Sequence, residues 1–585
     1  MDSSTKSGCM AGCLLSAALF AAAFAMAART AAAAENVSRA DAAARGEVVV
    51  VDIPWSFPSN RIDWTFNPTS ARGPFNPEWT WQLNRMYFWT DMAGAYRATG
   101  DEKYARAFAR QLEDWLDQTG GIPPESSFNC VGSPWRTIEE GLRLMGSWRD
   151  AWLAFRSSPS FPPQLRDRFV QSMRAQAGHL LRHRTRGNNW LLMEMNGVNS
   201  FASLFPDIAE SASWRKESAR IFTDAVASQL LPDGLQYELS PDYHYVLYSC
   251  AVGLYRRAIA DGTLEDLPPD FAELLKRGAE GPLALMTPAF TSPSFNDCYT
   301  IAAERILGPA AEFFPDRSDF LWGATRGRKG RPPVGETASR LLPYAGFAVM
   351  RSGWDADATY LAFDFGPLGV GHWHQDKLSF TMWKGDEELV FDDGGGQYER
   401  SPEREYAISG YDHNTLLVDG LAQNRKEPRR TEKPIDAGWS TASERDFARG
   451  VYDQGFGPDE KRLAVHVREI EFLKPDRFVI TDRVSSADGR AHDYEILFQL
   501  DTTNVTVSAD GRALLARYGR KWDLRITAEE GGVISVATGQ RSPRLSGWFI
   551  GRNDRRNHPA TTASVRADGC KDHVFRTRLE PALPQ

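Results

Sequence analysis

Positive charge does not prevail in this 585-residue chain. Its formal net charge is −8, so the broad positive field of a protein that wraps nucleic acid is missing. An anionic polymer is still admissible, because a local cluster of Arg and Lys can line a cleft in an acidic protein. Cysteine is scarce and scattered: 6 residues, with no CxxC pair. That excludes a disulfide scaffold of the small secreted type. Cys130, Cys250, Cys298 and Cys570 leave room for a single bridge in an oxidising compartment. Long apolar runs are missing too, with one exception at the start, and no strict repeat fixes a helical array.

The exception reads as an export leader. MDSSTKSG carries one Lys, the run from Cys13 to Ala28 is uncharged, and RTAAAAE supplies small residues for cleavage after Ala34. No second spanning segment follows, so the mature chain is expected to be periplasmic or secreted, with no stable membrane insertion. Hydrophobic residues at 42% and charged ones at 25% exclude a disordered chain and allow two large cores. The 18 Trp and 17 Tyr suit sugar rings, but aromatic residues also fill cores.

Two periods divide what remains. From Glu78 to Leu341 the pattern is helical: in YARAFARQLEDWLD, Tyr104, Phe108, Leu112 and Trp115 form one apolar stripe. WTWQLNRMYFWTDMAGAYRATG repeats it and stops at Gly100. Further helices are expected near 138–155, 169–181, 190–204, 212–230, 246–260 and 270–286. The segment 323–343, GATRGRKGRPPVGETASRLLP, reads as the linker. Beyond it the period is two: KLSFTMW alternates, REIEFLKPDRFVITDRV reads as two strands joined at Pro475-Asp476, and HDYEILFQL, NVTVSA and GVISVATG continue. The organisation expected is therefore multidomain α+β: leader 1–34, an extended segment 35–77 packed on the helices, a helical domain 78–341 and a β domain 342–585.

Three polar islands sit among aromatic residues. In GNNWLLMEMNGVNSFASLFPD, Asn188 and Asn189 precede an apolar helical run. Either they cap that helix, or one amide meets an anionic substrate group. LPDGLQYELSPDYHYVLYS holds Tyr237, Glu238, Tyr243, His244, Tyr245 and Tyr248, a core layer or a cleft wall. A Tyr serving as base needs nearby positive charge or donors to hold its phenolate. The third runs from GHWHQD through VFDDGGGQYE to YDHN. On an extended strand His372 and His374 would face the same way; with Asp392 and His413 they make ligands for a divalent metal, zinc ahead of calcium. Asp376 or Asp393 is the other candidate carboxylate, as ligand or as orienter of a histidine. Without a metal, the same residues form a hydrogen-bond network between loops.

In order, PEWTWQLNR, SPWRTIEEGLR, GNNW, DGLQYELSPDYH, GHWHQD and DHNTLLVDG cover most of the chain and resemble the heparinase II/III superfamily, nearest its heparinase III-like lyases. The resemblance implies an N-terminal incomplete (α/α) toroid followed by a C-terminal antiparallel β-sandwich. It implies a lyase that cuts uronate-containing polysaccharide by β-elimination, heparan sulfate or heparosan first, leaving 4,5-unsaturated ends. Asn189 matches the residue that neutralises the substrate carboxylate, with Asn188 the lesser choice. Tyr243 matches the catalytic tyrosine, expected to take the C5 proton and pass one to O4; His372 matches the catalytic histidine, expected on the carboxylate or, for an epimeric uronate, as the opposite-face base. Glu238, His244 and Tyr398 are expected on the substrate, and His374, Asp392 and His413 around a structural metal. The competing readings are a lyase for alginate or a bacterial exopolysaccharide, a zinc-dependent glycan hydrolase, and a polysaccharide-binding protein that does not cut.

Overall fold

The computed structural model describes residues 35–58, 61–71, 73–123, 134–426, 429–551 and 557–584. The leader expected over 1–34, and Cys130, lie outside them. The chain forms two compact units, one up to Ile221 and one from Phe222, divided within the helix Ser211–Gln229. Among the described residues no helix is long and apolar enough to cross a membrane.

The first unit is built from amphipathic helices. Glu102–Thr119 begins at Asp101, whose carboxylate accepts from the Lys103 N–H, and ends at Gly120 with left-handed backbone. Its stripe of Tyr104, Phe108, Leu112 and Trp115 is at most 1% exposed. The expected run over WTWQLNRMYFWT is instead two helices, Glu78–Leu83 and Tyr87–Thr99, because Met86 turns left-handed between them. Asn84 secures that break: its amide donates to the carbonyls of Trp64 and Thr80, and its carbonyl accepts from the Trp115 indole. The segment expected to be extended holds more structure than that. Residues 35–44 are helical, and Glu47–Val50 pairs with Ile53–Ser56 as a hairpin. The helices Thr137–Met145 and Asn188–Leu204 cross at two glycines. A Cβ on Gly197 would lie 2.6 Å from the Gly141 carbonyl oxygen, so neither position accepts a side chain. That contact fixes the helix whose first turn carries Asn188 and Asn189.

The second unit starts with helices, among them Pro241–Asp261 and Phe271–Leu285, and then turns to sheets. A five-stranded antiparallel meander runs in chain order: Arg340–Leu342, Phe347–Arg351, Thr359–Asp364, Phe380–Lys384 and Glu387–Val390. Its three middle strands are buried at every residue, because both faces are covered. Phe347, Val349, Tyr360 and Ala362 pack with Leu235, Leu285 and Phe295 on one side. Ala348, Met350, Leu361, Phe363, Phe380 and Met382 share the other side with Ile470, Phe472 and Ile480. Those last residues belong to an eight-stranded antiparallel sheet, in which Ala464–Leu473 and Arg477–Ser486 are joined across Pro475-Asp476 as the sequence suggests. His492–Leu500 and Val533–Thr538 lie in a separate four-stranded sheet. Two loops leave the meander and hold most of the third polar island: residues 365–379 and residues 391–415.

Candidate active site

The helix Pro241–Asp261 is capped by Ser240, with Pro241 in its first turn, and this sets Tyr243 at its N-terminal end. The loop 365–379 is tied to the chain just before that helix, where the Val370 N–H donates to the Tyr237 carbonyl (3.1 Å), and to the segment after Phe271–Leu285, where the Asp297 N–H donates to the His372 carbonyl (3.0 Å). His372 takes a left-handed backbone, φ 56°. The outcome is a face-to-face stack of Tyr243 on His372, with centroids 3.5 Å apart and planes at 13°. The Tyr243 hydroxyl shares a 2.8 Å hydrogen bond with the Tyr398 hydroxyl, delivered by the loop 391–415. Glu238, 1% exposed, shares a short hydrogen bond with His372 Nδ1. Its second oxygen accepts from the Gln236 amide at 3.0 Å.

These contacts revise two expected roles. Glu238 faces His372 and holds the imidazole, rather than facing a substrate. His244 is 1% exposed, with Nδ1 accepting from the Gln236 N–H (3.2 Å) and Nε2 against the Gly278 carbonyl (2.7 Å). Both nitrogens are used inside the protein, and burial lowers the imidazole to about 4. His244 is a core residue. Tyr398 remains at the site, beside Tyr243.

The electrostatics favour a neutral phenol. Burial raises Tyr243 far above its usual range; the hydrogen bond from Tyr398 opposes this, while Asp297, Asp242 and Glu238 add to it. Tyr398 is raised too, first by burial and then by Tyr243. Asp242 is pushed up to about 6 by burial.

The expected alignment of His372 and His374 on one strand face does not occur. Both lie in a loop, where the left-handed turn at His372 sends the rings to different places. His374 is fully buried, its Nε2 3.1 Å from Asp297 Oδ1, and its ring 5.2 Å from that of His413. His374, Asp376 and His413 each offer a ligand atom, all within 4.8 Å of one another. His374 Nδ1, Asp376 Oδ2 and His413 Nε2 are buried with no hydrogen-bond partner. Such orphaned donors and acceptors are costly unless something meets them, so this trio fits a divalent cation. Asp392 stands elsewhere than expected, 3.2 Å from the other nitrogen of His413, Nδ1, and accepting from the Ser379 hydroxyl at 2.6 Å. A carboxylate there can orient the ring, and the carboxylate that converges with His374 and His413 is that of Asp376.

Asn188 and Asn189 belong to the first unit. Asn188 Oδ1 accepts from the Trp190 N–H at 2.9 Å within the helix's first turn, and Asn189 is 2% exposed in the same turn. Sequence reasoning passed over Asp297 and Arg404. The Arg404 guanidinium grips both oxygens of Asp297 and lies 5.0 Å from the Tyr398 ring centroid. No motif marks either residue, since their pairing spans more than 100 positions.

The chain matches the family model described as "Heparinase II/III N-terminus" over residues 17–322, and "Heparinase II/III-like, C-terminal" over 335–575. A heparin-sulfate lyase of Bacteroides stercoris is 28% identical over 527 residues, covering 84% of this chain and 75% of that protein. A heparin-sulfate lyase of Pedobacter heparinus is 27% identical over 430 residues, covering 72% of this chain but only 62% of its own length. Among solved structures, heparinase III superposes with a TM-score of 0.78 at 20% identity, covering 91% of this chain and 81% of that one. The heparan sulfate lyase of Pedobacter heparinus gives 0.64 at 23%, covering 94% and 83%. These structural likenesses establish the fold, a toroid-type helical region followed by antiparallel sheets. With one family model spanning more than half of its residues, the chain belongs to the heparinase II/III family.

Proposed function

We propose that this protein is an exported polysaccharide lyase that cuts uronate-containing glycans by β-elimination, with heparan sulfate or heparosan as substrate. The observation that carries the reading is the stack of Tyr243 on His372, with Tyr398 on the phenol and Glu238 behind the imidazole. Two proton-transfer groups held together serve a reaction in which one proton leaves C5 and another reaches O4. The C5–H electron pair becomes the C4=C5 double bond, the C4–O4 bond breaks, and no water is consumed.

The electrostatics divide the labour. A buried carboxylate beside Nδ1 keeps the proton on that nitrogen and leaves Nε2 open to accept. His372 is then the group ready to take the C5 proton. Tyr243, kept neutral, is the group ready to protonate the departing oxygen. The base role expected of Tyr243 from the sequence requires its own proton to leave first, against three carboxylates. Asn189 is assigned to the substrate carboxylate on the family pattern, where an amide donor offsets charge building on the enolate-like species.

Imidazole and carboxylate donors suit zinc, and His374, Asp376 and His413 would hold it. When bound, the metal supplies a cross-link between the loops 365–379 and 391–415. All three residues are fully buried, which leaves no open face for substrate and counts against a zinc hydrolase.

The test is to incubate purified protein with heparosan, heparan sulfate, heparin, hyaluronan, alginate and polyglucuronate, following ultraviolet absorbance and product length. New conjugated double bonds matched to new ends are expected on the first two. Saturated ends without absorbance would overturn the lyase reading.

A further inference from the structure

The segment read from sequence as a linker forms a built, strongly basic turn. After the helix Ser318–Ala324, four cations, Arg326, Arg328, Lys329 and Arg331, fall within six positions and are all exposed. Between Asp319 and Glu336 there is no acidic residue. Among the described residues, none of the four pairs with a carboxylate, whereas nearby Arg317 is held by Glu280 and Asp319. Unpaired charge concentrated like this is unusual in a protein of net charge −8.

The turn is also held in shape. The Gly327 N–H donates to the Trp322 carbonyl (2.8 Å), the Lys329 N–H to the Thr325 hydroxyl (2.9 Å), and the Arg331 N–H to the Ser318 carbonyl (3.3 Å). Gly330, at φ 80°, passes so close to Ser318 that a Cβ would lie 2.2 Å from its carbonyl oxygen. Trp322 anchors the base against Phe290 and Trp354. A flexible basic tail would pay entropy for each cation it ordered on a ligand. This one has paid in advance.

We propose that the Arg326–Arg331 turn is an exosite for a linear polyanionic glycan, separate from the residues that carry the chemistry. The proposal rests on the reading above that the substrate is such a polymer. Closely spaced cations release the polymer's counterions on binding and raise its local concentration. A nucleic acid would ask for a wider positive surface than this acidic protein offers. A membrane would ask for apolar area besides charge, and the turn is followed by a single exposed valine, Val334.

The experiment compares the wild type with Arg326→Gln/Lys329→Gln/Arg331→Gln. Arg328 is kept because its Nε donates to the Thr325 carbonyl and helps close the turn. A second variant also replaces Arg328, and both are checked for an unchanged melting temperature. Binding to immobilised heparan sulfate and heparosan is measured across a salt series, and turnover on polymer and on a tetrasaccharide. The triple variant is expected to bind polymer at least about tenfold more weakly, with the slope of log K against log salt shallower by about 2. Its kcat/KM should fall on polymer yet stay within about twofold on the tetrasaccharide. Unchanged binding and slope would overturn the exosite, as would an equal loss on the tetrasaccharide. So would weaker binding confined to single-stranded DNA or to anionic vesicles. If no glycan is cut but the variants still lose glycan binding, the exosite stands and the lyase reading falls.

Discussion

The ring of Tyr243 lies on the ring of His372, 3.5 Å away and within 13° of parallel. One comes from the first turn of a helix and the other from a loop 129 positions later in the chain, tied to the stretch before that helix by the Val370–Tyr237 and His372–Glu238 hydrogen bonds. A phenol and an imidazole in van der Waals contact can serve two nearby atoms of one sugar, such as C5 and O4, which are separated only by C4.

Replacing Tyr243 by Phe removes the hydroxyl and keeps the stack. Turnover on polymer should drop by about 10²–10⁴-fold, the usual worth of a proton-transfer group, with little change in binding. On a synthetic uronate whose 4-O leaving group is an acidic phenol, needing no protonation, most of the rate should return. His372→Ala should lose both activities. If the activated substrate fails to rescue Tyr243→Phe, the phenol is the base and the division of labour is wrong.

Glu238→Gln keeps size and burial but withdraws the charge that fixes the His372 proton on Nδ1. kcat should fall by about 10²-fold or more, by the logic that governs carboxylate–histidine pairs in other enzymes, with KM much less affected. The double variant Glu238→Gln/His372→Ala should be no worse than His372→Ala alone, because both changes act through one imidazole. Independent, additive losses would place Glu238 on the substrate after all.

The metal assignment separates two aspartates. Asp376→Asn should abolish stoichiometric zinc, read by elemental analysis, while Asp392→Asn should weaken it by about 10–100-fold, as loss of an orienting carboxylate does. Chelation should lower the melting temperature by about 5 °C or more, and added zinc should restore it. The opposite ranking of the two aspartates would return Asp392 to the ligand set.

His244 supplies a pH signature of stability. Its folded value, about 4, lies below the ordinary 6.5, so the unfolded chain binds this proton first as pH falls. Stability from His244 is fully present above pH 6.5 and is lost as pH drops toward 4, by about 3 kcal/mol in all. Urea unfolding of wild type and His244→Gln between pH 7 and 4.5 measures it. The variant, neutral throughout, should show a slope shallower by about one proton; identical slopes would refute the assignment.

Period and punctuation in the sequence determined the elements. The 3.6-residue stripe of Tyr104, Phe108, Leu112 and Trp115 has one buried face in any helix, and the alternation of REIEFL and RFVITDRV pairs one way across a tight turn. The ordered motif blocks also carried the family, because they preserve chemistry as well as pattern. The strands Phe347–Arg351 and Thr359–Asp364 of the meander hide their alternation, since residues of both parities are buried between helices on one side and a second sheet on the other.

What a side chain meets was decided only in three dimensions. HxH promised two rings on one face, but a left-handed residue in a loop sent His372 to Tyr243 and His374 to His413. The same folding turned Glu238 and His244 inward, brought Asp376 to His374 and His413, and joined Arg404 to Asp297. Local periodicity reports which way a residue points along its own element. It holds no information on which distant segment will fill the space it points into, and in this protein the chemistry depends on that space.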